Sequence, residues 1–197
     1  MAVDATTICS NAVLMLGGKT INDLYVQVED RAVLAASLYP MVRDAVLRSH
    51  PWNCACARVA LAPDVTAPAF DWASQFTLPG DWIRTLSVGQ KGLPDAYVTE
   101  GRKILSDVSV LYLRYIFRND NESTWDTMLA EAMVLAMKAV IAYPITLSQA
   151  VATQAAADFE NFVRRARAID GQDDPPETLG DFRLLASRFV GTSVVVS

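Results

Sequence analysis

The residues best equipped for chemistry gather in one short run, Leu47-Arg48-Ser49-His50-Pro51-Trp52-Asn53-Cys54-Ala55-Cys56-Ala57, which holds the sole histidine and two of the three cysteines. A zinc reading needs about four ligands, with paired cysteines two to four residues apart. Cys54 and Cys56 are closer than that, and no second cluster supplies the rest. Residues two apart in a strand share a face, so a pair of small buried hydrophobes is the simpler account. Nucleophilic catalysis needs a base beside a Ser or Cys, but no nucleophile-elbow pattern surrounds any serine. Cys9, set among Ile8, Ala12 and Val13, reads as core. His50 falls in the last turn of a helix, where it can favour the dipole or cap a carbonyl. Pro51 forbids continuation of that helix, and Trp52 is placed to anchor the chain as it crosses. His50, Pro51 and Trp52 are therefore expected to form a structural hinge, with no catalytic, metal-binding or cofactor-binding residues.

Other suggestive residues give the same answer. Gly17-Gly18-Lys19-Thr20 echoes the end of a phosphate-binding loop, but the required first glycine and preceding strand are missing. Asp173-Asp174, and Asp120 with Glu122, lie in loops and linkers and read as solvated charge. Arg164, Arg165 and Arg167 cluster near a helix C-terminus, where they complement the dipole and could meet an acidic patch on a neighbour. Phe70, Trp72 and Phe76 could form an exposed aromatic loop or fold back over a sheet.

The totals bound the class. The chain has 197 residues, 52% hydrophobic and 20% charged, which suits a globular protein with a sizeable core. A net charge of −5 and a pI of about 4.8 argue against nucleic-acid binding. Three cysteines, two of them nearly adjacent, argue against a disulfide framework and for a reducing compartment. The richest apolar run, Met128 to Ile145, is broken by Glu131, Lys138 and Pro144, so no membrane span is expected. The first residues, Met1-Ala2-Val3-Asp4, show no secretory signal.

The elements follow from periodicity. Helices are expected at about 5–16, 29–49, 125–143 and 147–169. Asp4 or Thr6 caps the first, and Gly17-Gly18 stop it. The second carries an apolar stripe of Leu34, Leu38, Met41, Val42 and Ala45, with Arg31, Arg43, Asp44 and Arg48 away from it and Pro40 inside. Ser123 with Asp126 resembles a capping box for the third, and Pro144 should end it. Between the second and third helices the period falls to two, with six strand-like runs from Arg58 to Phe117 separated by turn signals. Val110 to Phe117 is the most apolar of these and should lie centrally. After 169 the acidic, proline-bearing stretch Asp170-Gly171-Gln172-Asp173-Asp174-Pro175-Pro176-Glu177 leads to Leu179–Phe189. There Phe182, Leu185 and Phe189, together with Arg164 and Arg165, are candidate partner-docking residues. The expected fold is α+β, mainly α. A discontinuous helical bundle (1–52 and 120–169) would carry one inserted antiparallel sheet (about 57–117, in a subdomain 53–119) and a docking tail (170–197).

Several stretches together give a resemblance. Thr7-Ile8-Cys9-Ser10-Asn11-Ala12 with Leu16-Gly17, then Ile21-Asn22-Asp23-Leu24, and most strongly Arg43 to Asn53 are similar to the opening of the tail tubular protein A family. That family is the head-to-tail adaptor of short-tailed bacteriophages. Phe76-Thr77-Leu78-Pro79-Gly80-Asp81-Trp82-Ile83-Arg84 and Tyr97 to Leu105 look like its sheet, and Leu135-Ala136 through Tyr143-Pro144-Ile145-Thr146, with Ala166-Arg167, like its second helix pair. Cys54 departs from the aromatic the family often carries there, and the tail from Asp170 has no counterpart. The resemblance implies a non-enzymatic virion protein without a cofactor, assembled in the host cytoplasm. It would form a ring, a dodecamer, between the portal protein and a tail nozzle of the tail tubular protein B kind. Double-stranded DNA would pass through its centre without sequence-specific binding, and no membrane would be involved. Acidic subunits would line such a channel with charge that repels DNA and lets it slide. The rival readings are a head-completion connector of a long-tailed phage and, from another class, a metal-binding or enzyme domain using His50 and the cysteines.

Overall fold

Helix α1 (Ala5–Leu14) begins where Asp4 accepts the Thr7 amide at 2.6 Å, satisfying a donor that the first turn leaves open. It ends in a Schellman arrangement: Gly18 N–H donates to Val13 O and Gly17 N–H to Leu14 O, with Gly17 at φ +79°. A Cβ on Gly18 would collide with Val13. The glycine pair is thus a helix stop. The computed structural model describes residues 3–26 and 29–173. Over these the remaining elements are α2 (Asp30–Ser49), β1 (Cys56–Leu61), β2 (Ser74–Thr77), β3 (Trp82–Gln90), β4 (Leu93–Pro94), β5 (Val98–Glu100), β6 (Lys103–Ser106), β7 (Leu111–Phe117), α3 (Thr127–Thr146) and α4 (Gln149–Asp173).

Two compact units emerge. The first comprises Met1–Ala57, Pro79–Leu86 and Tyr115–Asp170. Its core is built from α1, α2 and α3 around Ile8, Leu24, Leu47, Trp52, Leu129 and Met133, all essentially inaccessible to water. Polar ties finish it. Ser10 Oγ accepts from the Ile21 amide, the Tyr39 hydroxyl donates to Glu122 at 2.9 Å, and Asn119 Nδ2 donates to Cys54 O at 2.8 Å. The second unit comprises, among the described residues, chiefly Arg58–Leu78 and Ser87–Arg114. Here Phe76 and Ile104 are fully buried and paired across β2 and β6. Asp64 accepts from Thr77 and from Lys103 at 2.9 Å, and Lys103 above all holds its carboxyl below the usual range.

The expectation of a mainly α chain with one inserted sheet is corrected. The structure is α+β with substantial sheet, 46% helical and 22% strand, and the strands form two antiparallel sheets among the described residues. One has the order β1-β7-β3-β4 and the other β2-β6-β5. Alternation identifies strands but not their partners. The irregular chain between β1 and β2 lets β2 leave β1 and pair with β6, Ser74 opposite Ser106. As expected, β7 lies inside its sheet, and the turn at Gly101 (φ +58°) sets Glu100 opposite Lys103.

Three helical details also differ. The buried face of α2 is Ala32, Ala35, Tyr39, Val42 and Val46, while Met41 is 64% exposed. The stripe is rotated toward small residues, which let helices approach closely. Pro144 does not stop α3, which runs on to Thr146; in the last turn its missing N–H costs one bond, and left-handed Leu147 ends the helix instead. The cap of α3 is Asp126, which accepts from Leu129 at 2.6 Å, whereas Ser123 belongs to a preceding single 3₁₀ turn. Finally, α3 is long and apolar enough to cross a membrane, with a mean hydropathy of 1.6, contrary to the sequence expectation. Here it lies in the unit's core, and its Lys138 is paired with Asp158 at 2.9 Å.

Candidate functional site

The final turn of α2 is finished by the run that first suggested chemistry. His50 is the C-cap, with extended backbone (φ −146°), so helical hydrogen bonding stops there. The last carbonyls of a helix need outside donors. Val46 O accepts from Ser49 Oγ at 2.7 Å and from Trp52 Nε1 at 3.1 Å. The Trp52 amide donates to His50 O, and the two rings meet edge to face with centroids 4.8 Å apart. Trp52 is buried, His50 nearly so, and Pro51 half-buried. Immediately beyond, Asn53–Ala55 make one 3₁₀ turn, and only then does β1 begin. All of this lies within the first unit, which extends to Ala57.

The cysteines are separate. Cys9 is buried in α1, and Cys54 is half-buried with its thiol 3.7 Å from Asp126 Oδ2. Burial pushes the Cys9 thiol up to about 12 and raises that of Cys54 as well, so neither is primed as a thiolate nucleophile at neutral pH. Among the described residues, no three of His, Cys, Asp and Glu gather closely enough to hold a metal ion.

What the first unit does expose is apolar. A groove of about 480 Å³ runs between α1 and the first half of α3, lined by Ile8, Leu14, Met15, Val134 and Leu135 with Glu131 among them. Leu14 and Met15 are 45% and 54% exposed. At the other end of α3, Tyr143 and Leu147, with Val151 at the start of α4, expose further apolar side chains, with Leu147 78% exposed. Leu147 also sits at φ +53°, a conformation that costs a branched side chain free energy. That left-handed residue closes α3, since its N–H satisfies the Tyr143 carbonyl. Helical spacing could not reveal this corner, because it assigns Val140 and Val151 to the core seams and Pro144 to the helix end.

Of the expected docking residues, Arg164 and Arg165 are exposed on α4, with Arg164 donating to Asn161. Phe182, Leu185 and Phe189 lie outside the described residues. In the loop before β2, Phe70 is 76% exposed, Trp72 is half-buried and Phe76 is fully buried, so the three do not form one aromatic surface. Compared with known proteins, the chain matches no family model and no curated protein.

Proposed function

We propose that this chain is a structural subunit of a phage neck: a head-to-tail adaptor that forms a ring, of twelve copies, between portal protein and tail nozzle. Double-stranded DNA passes through the ring during ejection, and the chain performs no catalysis. The observation that carries the reading is the pair of exposed apolar surfaces at opposite halves of α3. A ring needs a heterologous interface, in which one patch of a subunit meets a different patch of the next. Exposed apolar patches of this kind favour protein contact. The sequence resemblance, strongest over Arg43 to Asn53, supports the same role, because that stretch builds the end of α2 and the turn beyond it.

The test is the mass of the purified full-length protein, alone and with portal. Rings of uniform mass, formed alone or only on the portal, are the expected result. A protein that stays monomeric with portal present, or that binds metal stoichiometrically, would overturn the proposal.

A further inference from the structure

In a chain of net charge −5, the first unit carries a concentrated strip of arginines that neither its core nor the apolar surfaces explain. Asp44 lies at its centre. Its Oδ1 accepts from Arg43 Nε and Nη2 at 3.1 and 3.0 Å, and its Oδ2 accepts from Arg118 Nε at 2.9 Å. One turn further along the same face of α2, Arg48 Nη1 donates to Ile83 O at 2.7 Å, and Arg84 Nη1 donates to Arg48 O at 3.2 Å. Arg48, Arg84 and Arg118 are exposed. Among the described residues Arg48 and Arg84 bond backbone carbonyls and meet no carboxylate, and Asp81 holds the Tyr115 hydroxyl instead. Four guanidiniums against Asp44 and Asp81, whose backbone carbonyl accepts from the Arg118 amide at 2.7 Å, leave two positive charges in excess. Each exposed guanidinium presents a fork that suits bidentate binding of a carboxylate or phosphate.

We infer that this strip docks the acidic segment Asp170–Glu177 of a neighbouring copy, an inference that rests on the ring reading. The segment carries Asp170, Asp173, Asp174 and Glu177, four carboxylates of the sign that complements this excess. It begins at the last turn of α4 and runs on beyond the described residues. A nucleic-acid backbone is the weaker match. The strip is little more than one helical turn long, contains Asp44, and belongs to an acidic chain that repels polyanions.

The test uses a labelled peptide, Ile169–Thr178, titrated into the full-length protein and followed by anisotropy. Binding should weaken with salt and fall about tenfold or more in Arg48→Glu/Arg84→Glu, an effect typical of charge reversal at a contact. Arg48→Gln/Arg84→Gln should give a smaller loss, and thermal unfolding checks that both variants fold. Binding unchanged by reversal, or a duplex DNA that binds the strip where the peptide does not, would overturn the inference. The assay needs no ring, so its failure leaves the ring reading standing, and a monomeric mass leaves the peptide result decisive. Mixing supplies the arrangement. Arg48→Glu/Arg84→Glu chains and Asp173→Lys/Asp174→Lys/Glu177→Lys chains should each assemble poorly, and a mixture should recover, because each supplies the partner the other needs. Recovery only when both sets are combined in one chain would place the segment on its own subunit and refute docking between copies.

Discussion

Cys9, Tyr39 and Glu122 make the first unit sensitive to alkali. Cys9 is fully buried, and burial, reinforced by the nearby Glu122 charge, pushes its thiol from 9.0 up to about 12. Burial and the same carboxylate also raise the Tyr39 hydroxyl. A raised folded-state value means that the folded chain holds the proton more tightly than the unfolded one. Below about pH 9 both states are protonated and the thiol adds no pH dependence. Between about 9 and 12 the unfolded chain loses the proton first, so stability falls as pH rises. We expect Cys9→Ala to flatten this slope between pH 9 and 10, where the thiol contributes more than Tyr39, in urea unfolding followed at several pH values. The half-buried Cys54 should leave a residual slope, since its thiol is also raised. An unchanged slope in Cys9→Ala would refute the assignment. At neutral pH the same variant should lose only the packing of a small side chain, roughly 1 kcal/mol.

At the scale of elements, the proposed ring makes the α3–α4 turn the place where the needs of fold and of assembly part. Leu147 N–H donates to Tyr143 O at 2.8 Å from a left-handed conformation, a position that normally favours glycine. Replacing Leu147 with Gly removes the backbone penalty and takes away the apolar side chain of a residue that is 78% exposed. The expected outcome is a folded chain that is more stable by about 0.5–1 kcal/mol yet assembles less well, read by chemical unfolding beside mass measurement. Such opposite signs would not arise if Leu147 served the monomer alone. The turn also shows what sequence could and could not reveal. Local signals were legible: Gly17-Gly18 stopped α1, Pro51 followed the end of α2, and the β5–β6 turn fell at Gly101. Signals that depend on distant partners were not. Large aliphatics drew the α2 stripe toward Met41, although tertiary packing buries Ala32, Ala35 and Tyr39 instead. The strand pattern could not say that β2 belongs with β6 and not with β1, because alternation is the same in either sheet. The arginine strip escaped for a like reason: Arg43 and Arg48 both lie on α2, but Arg84 comes from β3 and Arg118 from just beyond β7.

For the whole molecule, the decisive property is whether the two apolar surfaces of the first unit meet each other or themselves. A self-complementary contact closes as a dimer, whereas a contact between different surfaces passes from copy to copy and can close as a ring. Met15→Asp places a charge in the α1–α3 groove, beside Glu131, and Leu147→Asp places one on the far corner. Both residues are more than half exposed, so each variant should fold with little loss, and each alone should fail to form rings. Their mixture is the informative sample. A Met15→Asp chain keeps a good corner and a Leu147→Asp chain keeps a good groove, so one sound interface can form between them but a second cannot. The mixture should therefore stop at heterodimers, seen by native mass measurement as a species with one copy of each variant. A groove that met another groove would instead let Leu147→Asp chains pair among themselves, and mixing would add nothing. Because the variants differ in mass by only the substituted side chains, isotopic labelling of one of them makes the mixed dimer unmistakable.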